Sequence, residues 1–396
     1  MCFRDQALFW ALFVIIFSRL LLWVAGAASL WSIPLALKGA APLQPELAAF
    51  LAAQPKWTSS VSAQAAYGYK DNLLLSAAGE ERSALARGSV EVFLLRMAGS
   101  RFDYSFYAQA EGTRYFKGDA VDQDATAWLM TEAGVHFTDT LKLSLPLTGY
   151  FFDQVFDASE TELRRDVAAL KVSGLMVAPT LRWDFLANTW LEAQVGGERK
   201  LYQDRVNDST IGDATLRLGS KLGQRVEVRI SASERRRKFD ERAQYSLAGR
   251  ELVGTELKVR EREGELRLDW TIDQDGKWKS TTRLGWLRYA DNGSGYFDYS
   301  QKRIVQELDW TTGDWLLRLS GTAGRIDFNV QTVGVGVDLP FRLSDDYAAE
   351  LKVERKLSER WTALAAYTWE RRRSNDPISS YRMNEGLLGA RWSWER

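Results

Sequence analysis

Apolar and polar residues alternate one by one along most of the chain beyond Trp57. In one stretch, Leu266, Leu268 and Trp270 alternate with Arg267 and Asp269. A period of two is the pattern of a β-strand with one apolar and one polar face. The stretches run for about ten or more residues, which exceeds the ~5–6 residues usual in soluble sheets and suits a tilted strand that crosses a membrane.

The connections between these stretches are alternately short and long. Short turns are predicted at Ala98–Arg101, Thr138–Thr140, Leu186–Thr189, Leu222–Gln224, Asp273–Lys277, Thr311–Asp314 and Leu357–Arg360. Longer polar loops are predicted at Asp71–Ser83, Phe116–Asp124, Asp153–Glu162, Gln203–Ser209, Lys238–Arg250, Asp291–Ser300, Gly324–Thr332 and Ser374–Ser380. Tight turns on one side and larger loops on the other are typical of bacterial outer-membrane barrels, whose turns are periplasmic and whose loops are extracellular.

The predicted fold class is therefore all-β: a single transmembrane antiparallel β-barrel over residues 57–396, with about 16 strands and both termini periplasmic. The region Gln331–Lys356 contains two short alternating runs separated by Pro340 and by Leu343–Asp346. We interpret it as one bulged strand plus a loop, with 14 or 18 strands as the alternatives.

Tryptophans recur at the predicted short turns. The residues that predict an aromatic girdle are Trp190, Trp270, Trp278, Trp310, Trp315 and Trp361. Aromatics at one level are expected where strands cross the headgroup region of a membrane. The alternative, core aromatics of a soluble sandwich, would leave a large apolar exterior in water.

The last strand ends in a glycine followed by two alternating aromatics, Gly389, Trp392 and Trp394. This spacing resembles the carboxy-terminal signal that outer-membrane barrels present to their assembly machinery. It departs from that signal at Leu387, where a polar residue is usual, and in the residues Glu395–Arg396 that follow the last aromatic.

The amino terminus combines an apolar run with small residues at Ala25–Ser29, which predicts a signal peptide over residues 1–28 with an uncertain cleavage site. Arg19 interrupts the apolar run, and an uncleaved membrane anchor is the alternative. Residues 29–56, which carry three prolines between Ala41 and Lys56, are predicted to form a periplasmic tether.

Composition excludes several other classes of protein. The 396 residues are 45% hydrophobic and 26% charged, with 52 basic and 52 acidic side chains. This profile suits neither a disordered chain nor a helical membrane bundle, and neutral net charge disfavours a nucleic-acid partner. Cys2 and His136 are the only residues of their kinds, so we expect no metal site and no cofactor.

Three stretches, Tyr67–Leu74, Asp291–Tyr299 and Glu370–Asp376, carry a family resemblance. With them, the region from Trp57 to Trp394 resembles the poorly characterised porin-like outer-membrane β-barrels of Gram-negative bacteria, some of which are associated with exopolysaccharide export. The resemblance implies fold and compartment, the Gram-negative outer membrane, and brings no functional residues.

Polar positions of the alternating strands are the candidates for a pore lining. The predicted pore-lining residues are Glu132, His136, Arg217, Glu227, Arg229, Arg267, Asp269, Arg283 and Arg318. Opposite charges on neighbouring strands also stabilise a barrel wall, and the two roles are compatible. An inward-folded loop, either Asp153–Glu162 or Lys238–Arg250, would narrow such a pore.

Two basic runs, Arg235–Arg237 and Arg371–Arg373, end strands beside predicted extracellular loops. Their residues, Arg235, Arg236, Arg237, Arg371, Arg372 and Arg373, are candidates for binding the phosphates of lipopolysaccharide, and solvated strand ends are the alternative. The expected partners are outer-membrane lipid, lipopolysaccharide and the assembly machinery.

The favoured function is a passive pore or export conduit for small polar solutes or polysaccharide. A non-conducting structural or adhesive barrel is the alternative, and an outer-membrane enzyme is a distant third. Barrel hydrolases commonly need a histidine, but the single candidate, His136, is predicted to lie near a periplasmic turn rather than at the outer leaflet. We therefore expect no enzymatic activity.

Overall fold

The computed structural model describes residues 57–77, 80–96, 101–118, 121–157 and 167–396. The predicted signal peptide and tether lie outside these residues. Within the described ranges the chain forms sixteen barrel strands. The strands are β1 Trp57–Lys70, β2 Ser83–Arg96, β3 Phe102–Tyr115, β4 Gln123–Thr138, β5 Leu141–Asp157, β6 Val167–Val177 with Thr180–Leu186, β7 Thr189–Tyr202, β8 Ser209–Leu222, β9 Val226–Phe239, β10 Lys258–Thr271, β11 Trp278–Asp291, β12 Tyr299–Thr312, β13 Trp315–Thr332, β14 Phe341–Lys356, β15 Trp361–Ser374 and β16 Tyr381–Glu395.

The sheet closes on itself. Each strand pairs antiparallel with the next, and β16 pairs with β1 from Ser60 opposite Glu395 to Lys70 opposite Glu385. Among the described strands of the wall, closure leaves no edge, so their backbone polar groups find partners within the wall. The prediction of an all-β antiparallel barrel of about 16 strands is confirmed.

One strand, β6, is built from two segments. Both segments pair with β5 and with β7, so they count as a single strand of the wall. Pro179 stands at the break, because proline has no backbone N–H to donate to the ladder. Its carbonyl still accepts from the N–H of Val195 at 3.1 Å, and the N–H of Ala178 donates to Pro146 at 3.2 Å, which keeps the strand in line.

The segment predicted as the loop Gly324–Thr332 is instead the end of β13, and the loop occupies 333–340. The residues after Gly324 keep the period of two, and Ile326 and Phe328 are buried. The register shift expected within Gln331–Lys356 begins earlier, between Asp327 and Thr332. The loop itself begins where Gly334 adopts a φ of 101°, which is unfavourable for other residues.

The longest described loop, 240–257, is larger than the predicted Lys238–Arg250. It carries a small hairpin in which Gln244–Tyr245 pairs with Glu251–Leu252. Two single 3₁₀ turns, Arg205–Asn207 and Pro377–Ser379, lie in other loops at the same end. Among the described residues, no helix has the length and apolar character needed to cross a membrane.

The two faces of the wall differ in chemistry. On one face large apolar side chains are exposed, among them Val195 (61%), Ile230 (56%) and Leu388 (69%). On the other face charged side chains form ion pairs. For example, Nε of Arg267 lies 2.9 Å from Oδ2 of Asp269. We call these the outer face and the interior face. An apolar exterior on a closed sheet is the arrangement of a membrane barrel.

Long side chains two strands apart converge on the concave side of the wall. Arg87 of β2 reaches across β1 to Glu385 of β16 (Nη1–Oε1 2.9 Å). Arg391 of β16 likewise reaches across β15 to Glu354 of β14 (Nη2–Oε2 2.6 Å). Following the ladder register from strand to strand puts Arg267 on this same side. The charged face is therefore the interior of the barrel.

The facing of β10 can be tested with one neighbouring pair of residues. Leu268→Arg puts a cation on the outer face within the apolar band and should lower the free energy of unfolding by about 2–4 kcal/mol. Arg267→Leu loses mainly pairing on the wet interior face and should cost about 0.2–1 kcal/mol. Urea unfolding of the two refolded variants in lipid vesicles measures both values.

Cysteine labelling checks the same assignment independently. A cysteine in place of Arg267 should react with a small water-soluble maleimide, and one in place of Leu268 should not. Because side chains alternate, the reverse labelling pattern would show that the register is shifted by one residue.

Candidate functional site: the interior wall

All the predicted pore-lining residues lie on the interior face. Paired residues of an antiparallel ladder project to the same side, so Arg217, opposite Glu192 on one strand and Ser231 on the other, shares its face with both. The same register argument holds for the remaining residues, Glu132, His136, Glu227, Arg229, Arg267, Asp269, Arg283 and Arg318.

Asp269 is the centre of one interior charge cluster. It binds Arg267 on its own strand at 2.9 Å and Arg229 on β9 at 3.3 Å. The hydroxyl of Thr281 on β11 donates to it at 2.7 Å, and Glu227 in turn holds Arg229 at 2.7 Å. Two guanidiniums and a hydroxyl thus share one carboxylate across three strands.

The cluster continues around the wall as separate ion pairs. Arg283 of β11 binds Glu307 of β12, and Arg318 of β13 binds Asp309 at 2.7 Å. On the other side, Arg217 of β8 binds Glu192 of β7. The interior between β7 and β13 is therefore lined by charges of both signs in alternation.

His136 belongs to a comparable cluster on β3, β4 and β5. Its Nε2 lies 3.0 Å from Asp103 Oδ2, and Lys142 Nζ contacts the same carboxylate at 2.9 Å. Lys142 also lies 3.6 Å from Glu132. Asp103 therefore serves two basic groups at the short-turn end of the barrel. In the described ranges, no group of three or more His, Cys, Asp or Glu residues is placed to hold a metal ion.

An interior cavity of about 380 Å³ is a feature that the sequence analysis did not identify. Arg87, which binds Glu385 at 2.9 Å and Glu111 at 3.6 Å, lies in its lining. Tyr115 and Asp124 line it too, and the tyrosine hydroxyl donates to the carboxylate at 2.5 Å. Its walls come from β1 to β5 and from β15 and β16, which are neighbours only because the barrel closes.

At the long-loop end, the interior face changes from charged to apolar. The buried cluster there consists of Phe239, Leu257, Val259, Tyr289, Tyr296, Phe297, Tyr299, Ile326 and Phe328. Tyr245 of the 240–257 loop stacks on Tyr296 at 5.6 Å and meets Phe297 edge-on at 5.1 Å. The guanidinium of Arg242 lies 5.4 Å from the Phe239 ring, and burial lowers the pKa of this loop arginine. The loop is thus anchored against the interior wall.

A buried arginine ties further loops to this cluster. Arg342 is 1% exposed, donates to Gln331 Oε1 at 3.1 Å and to Ser379 Oγ at 2.9 Å, and lies 4.7 Å from the Phe328 ring. Gln331 donates in turn to the backbone carbonyl of Tyr296 at 3.1 Å. Nothing in the local sequence distinguishes Arg342 from exposed arginines, since its partners lie at the end of β13 and in the loop 375–380.

The two basic runs are divided between the faces. Arg235 and Arg237 lie on the interior, where Arg235 faces Glu261 at 3.5 Å and Arg237 donates to Ser209 at 2.9 Å. Only Arg236 of the first run projects outward. The prediction that all three bind lipid phosphate is wrong, because consecutive strand residues alternate in direction.

The same division applies to the second run. Arg372 is buried on the interior beside Asp346, to which it donates, while Arg371 and Arg373 project outward. Two residues of this run therefore stay candidates for contact with lipid headgroups, and the third is a wall residue.

Five of the six predicted girdle tryptophans are on the outer face at the short-turn end, where Trp278 and Trp310 pack at 5.8 Å. Trp190 is the exception. It is 6% exposed on the interior face and stacks against Arg182 at 4.5 Å. Gly219 opposite it leaves the space, because a Cβ there would lie 2.3 Å from the indole.

The residues of the predicted assembly signal lie on the closing strand. Trp392 and Trp394 project outward opposite Ala63 and Val61 of β1. Gly389 faces Ala66, where a Cβ would come within 2.4 Å of the Ala65 carbonyl oxygen. The glycine therefore permits close approach of the two strands that seal the barrel.

Comparison with known proteins finds similarity only at the level of structure. No protein-family model and no curated protein sequence matches the chain. OccAB4 of Acinetobacter baumannii is similar with a TM-score of 0.49 and 10% identity, over 87% of this chain and 99% of that chain. OpdQ of Pseudomonas aeruginosa gives 0.46 and 7%, over 86% and 98%. A loop-deletion mutant of OmpT, an outer membrane protein of Vibrio cholerae, gives 0.45 and 14%, over 86% and 100%.

Phe297→Ala tests whether the aromatic contacts hold the 240–257 loop. Loss of the ring removes its contact with Tyr245 and with the Arg242 guanidinium, which lies 5.3 Å from it. Trypsin should therefore cleave the folded protein after exposed Arg250 several-fold faster. Phe116→Ala, which removes an exposed aromatic from another loop, is the matched control and should leave the cleavage rate unchanged. Equal cleavage of the two variants would show that the cluster does not anchor the loop.

Trp392→Ala combined with Trp394→Ala tests the assembly signal. The double variant should reduce the amount of folded, heat-modifiable barrel in the membrane while synthesis stays normal. Trp278→Ala with Trp310→Ala removes a packed outer-face pair elsewhere and controls for general loss of aromatic surface. If both double variants assemble to the same extent, the terminal aromatics have no special part in assembly.

Proposed function

We propose that this protein is a passive pore or export conduit of the Gram-negative outer membrane for small polar solutes or polysaccharide. The observation that supports this proposal best is the combination of a closed sixteen-strand wall with a charged interior face. Barrels of about eight strands are filled by their own side chains, whereas porins of 16–18 strands enclose an aqueous channel.

The exposure of the interior charges supports a wet lumen. The side chains of Arg229 and Arg283 keep 35% of their surface exposed although each is in an ion pair, and Arg318 keeps 49%. Charges in a dry, packed core would be almost fully buried, because their desolvation is costly. Alternating signs would sort solutes weakly by charge while admitting polar molecules of either sign.

In the proposed orientation, the short turns lie in the periplasm, and so do the start of β1 and the end of β16. The tryptophan girdle lies at the short-turn end, and the long loops carry the apolar cluster at the other. Larger loops on the extracellular side are the usual arrangement of these barrels.

A non-conducting barrel is the second candidate, and one observation favours it. The apolar cluster and the 240–257 loop cover part of the interior face at the mouth. We propose further that the protein is not an enzyme. His136 shares Asp103 with Lys142 in an ion cluster, as a structural histidine would, and it lies at the end of the barrel away from the long loops.

Conductance in planar lipid bilayers decides between the first two candidates. A pore should give discrete steps of current when the purified, refolded barrel inserts. The Phe297→Ala variant, with a loosened loop, should give equal or larger steps. If inserted and correctly folded barrel carries no current in either form, the pore proposal fails and the structural barrel is favoured.

Asp269→Asn with Glu307→Gln tests whether the interior clusters face the conduction path. The change leaves Arg267 and Arg283 without the carboxylates that bind them and leaves Arg229 with Glu227 alone. The reversal potential in a salt gradient should therefore shift toward anion selectivity by several-fold in permeability ratio. Asp275→Asn with Glu359→Gln, which removes two exposed carboxylates from the short turns, should shift it little. Equal shifts would show that the clusters are not on the path.

A further inference from the structure

A row of cations lies on the outer face of β10 to β13 near the long-loop end. Arg262 stands directly opposite Arg288, and Lys302 stands directly opposite Arg325. We call these four residues the cationic row. Like charges directly opposite each other destabilise a sheet unless an anion lies between them.

The chain supplies carboxylates at the two ends of this row. Glu234 on β9 accepts from Arg262 at 3.1 Å, but it also accepts from Arg236 and Arg260 at 2.8 Å each. At the other end, Arg325 donates to Asp327 at 2.9 Å. Glu234 is therefore shared by three guanidiniums at one end of the row, and Asp327 accepts from Arg325 at the other end.

The middle of the row has no acidic neighbour on its own strands. The outer-face positions of β11, which are 278, 280, 282, 284, 286, 288 and 290, include no Asp or Glu, and neither do positions 300, 302, 304, 306, 308 and 310 of β12. Arg288 and Lys302 are the only charged residues at these thirteen positions. At these positions the two strands present only positive charge. One carboxylate of the loop between them, Asp298, interacts electrostatically with Arg288, but it is half-buried and accepts from the backbone N–H of Asp291 at 2.7 Å.

Another opposed pair on the outer face shows what such a position binds. Lys238 of β9 and Lys258 of β10 are directly opposite each other, and Glu256 of the neighbouring loop lies between them at 2.9 and 3.2 Å. An oxyanion thus bridges this pair of opposed cations. Arg288 and Lys302 are diagonal neighbours on adjacent strands, with Arg288 opposite Ser300 and Lys302 opposite Trp286. An oxyanion from outside the chain that binds both would lie across this diagonal.

The surface next to the row is apolar and belongs to the membrane band. Trp286, Leu284 and Ile304 are exposed on the same strands, one to two outer-face steps from Arg288 and Lys302 toward the short turns. A ligand that fits both parts has an anionic head at the level of the row and apolar chains along these side chains. Phosphate-bearing lipid has this chemistry, and guanidinium and ammonium groups bind phosphate through charge-assisted hydrogen bonds.

We propose that the cationic row binds the phosphate groups of lipopolysaccharide, with the acyl chains lying on Trp286, Leu284 and Ile304. The assignment to lipopolysaccharide rests on the proposed orientation, in which the long-loop end faces the outer leaflet. It does not depend on conduction, because the site is on the outside of the barrel. The four residues of the cationic row lie outside the two basic runs of the sequence. Arg236 of the first run is a neighbour, because it shares Glu234 with Arg262.

The test measures binding of lipid A to the refolded protein in detergent micelles. Arg288→Gln with Lys302→Gln removes the two middle cations and leaves no carboxylate partner unpaired on their strands. Arg96→Gln with Arg355→Gln is the matched control, because both arginines lie on the outer face at the short-turn end, against Trp57 and Trp315. Heat modifiability verifies that each variant is folded.

The double variant in the row should weaken lipid A binding by about tenfold or more, and the control should change it by about twofold at most. The unaltered protein should also bind bisphosphorylated lipid A at least about tenfold more tightly than fully dephosphorylated lipid A, a comparison that needs no variant.

Two outcomes would overturn the proposal. Equal affinity of the row variant and the control would show that the row is not the site, and equal affinity for dephosphorylated lipid A would show that phosphate is not recognised. Phosphatidylglycerol binding as tight as that of lipid A would overturn the assignment to lipopolysaccharide. Because the readout is binding rather than current, failure here is distinguishable from failure of the pore proposal.

Discussion

The hydrogen bonding of the backbone is the constraint on which this structure depends. A strand in hydrocarbon has no water to satisfy its N–H and C=O groups, so each strand needs a neighbour on both sides. The pairing of β16 with β1 removes the last two edges, and Gly389 allows the close approach at that seam. Once the sheet is closed, every second side chain must face lipid and the others must face the lumen.

That division explains why neighbours in sequence have different environments. Arg236 projects outward beside Glu234, while Arg235 and Arg237 project inward toward Glu261 and Ser209. The interior charges are held by partners on their own strand or up to two strands away, and they stay partly exposed. The outer charges lie at the two ends of the apolar band, where lipid headgroups are expected: the cationic row at the long-loop end, and Arg96 and Arg355 at the short-turn end. Neighbouring residues of one strand can therefore lie on the charged interior face and on the lipid-facing exterior at the same height in the membrane.

The mouth of the barrel combines these features with a different kind of packing. The interior wall between β9 and β13 becomes aromatic near the loops, and Tyr245, Tyr296 and Phe297 pack there. Charged clusters line the wall deeper in the barrel, whereas this cluster covers part of the interior face near the loops. In the pore that we propose, conduction would depend on how firmly a few buried contacts hold the 240–257 loop.

The sequence by itself determined the fold class, a strand number of about 16 with 14 or 18 left open, and the facing of strands such as β10, because alternation has a period of two and turns interrupt it locally. It also located Trp278 and Trp310 on the outer face. Only the tertiary structure decided that Trp190 is interior, that β13 continues through Thr332 and that Arg342 is buried between the end of β13 and the loop 375–380. These three features depend on which residues lie opposite on the neighbouring strands or in the loops that pack over the strand ends. Such partners are far apart in the chain, so no local pattern records them.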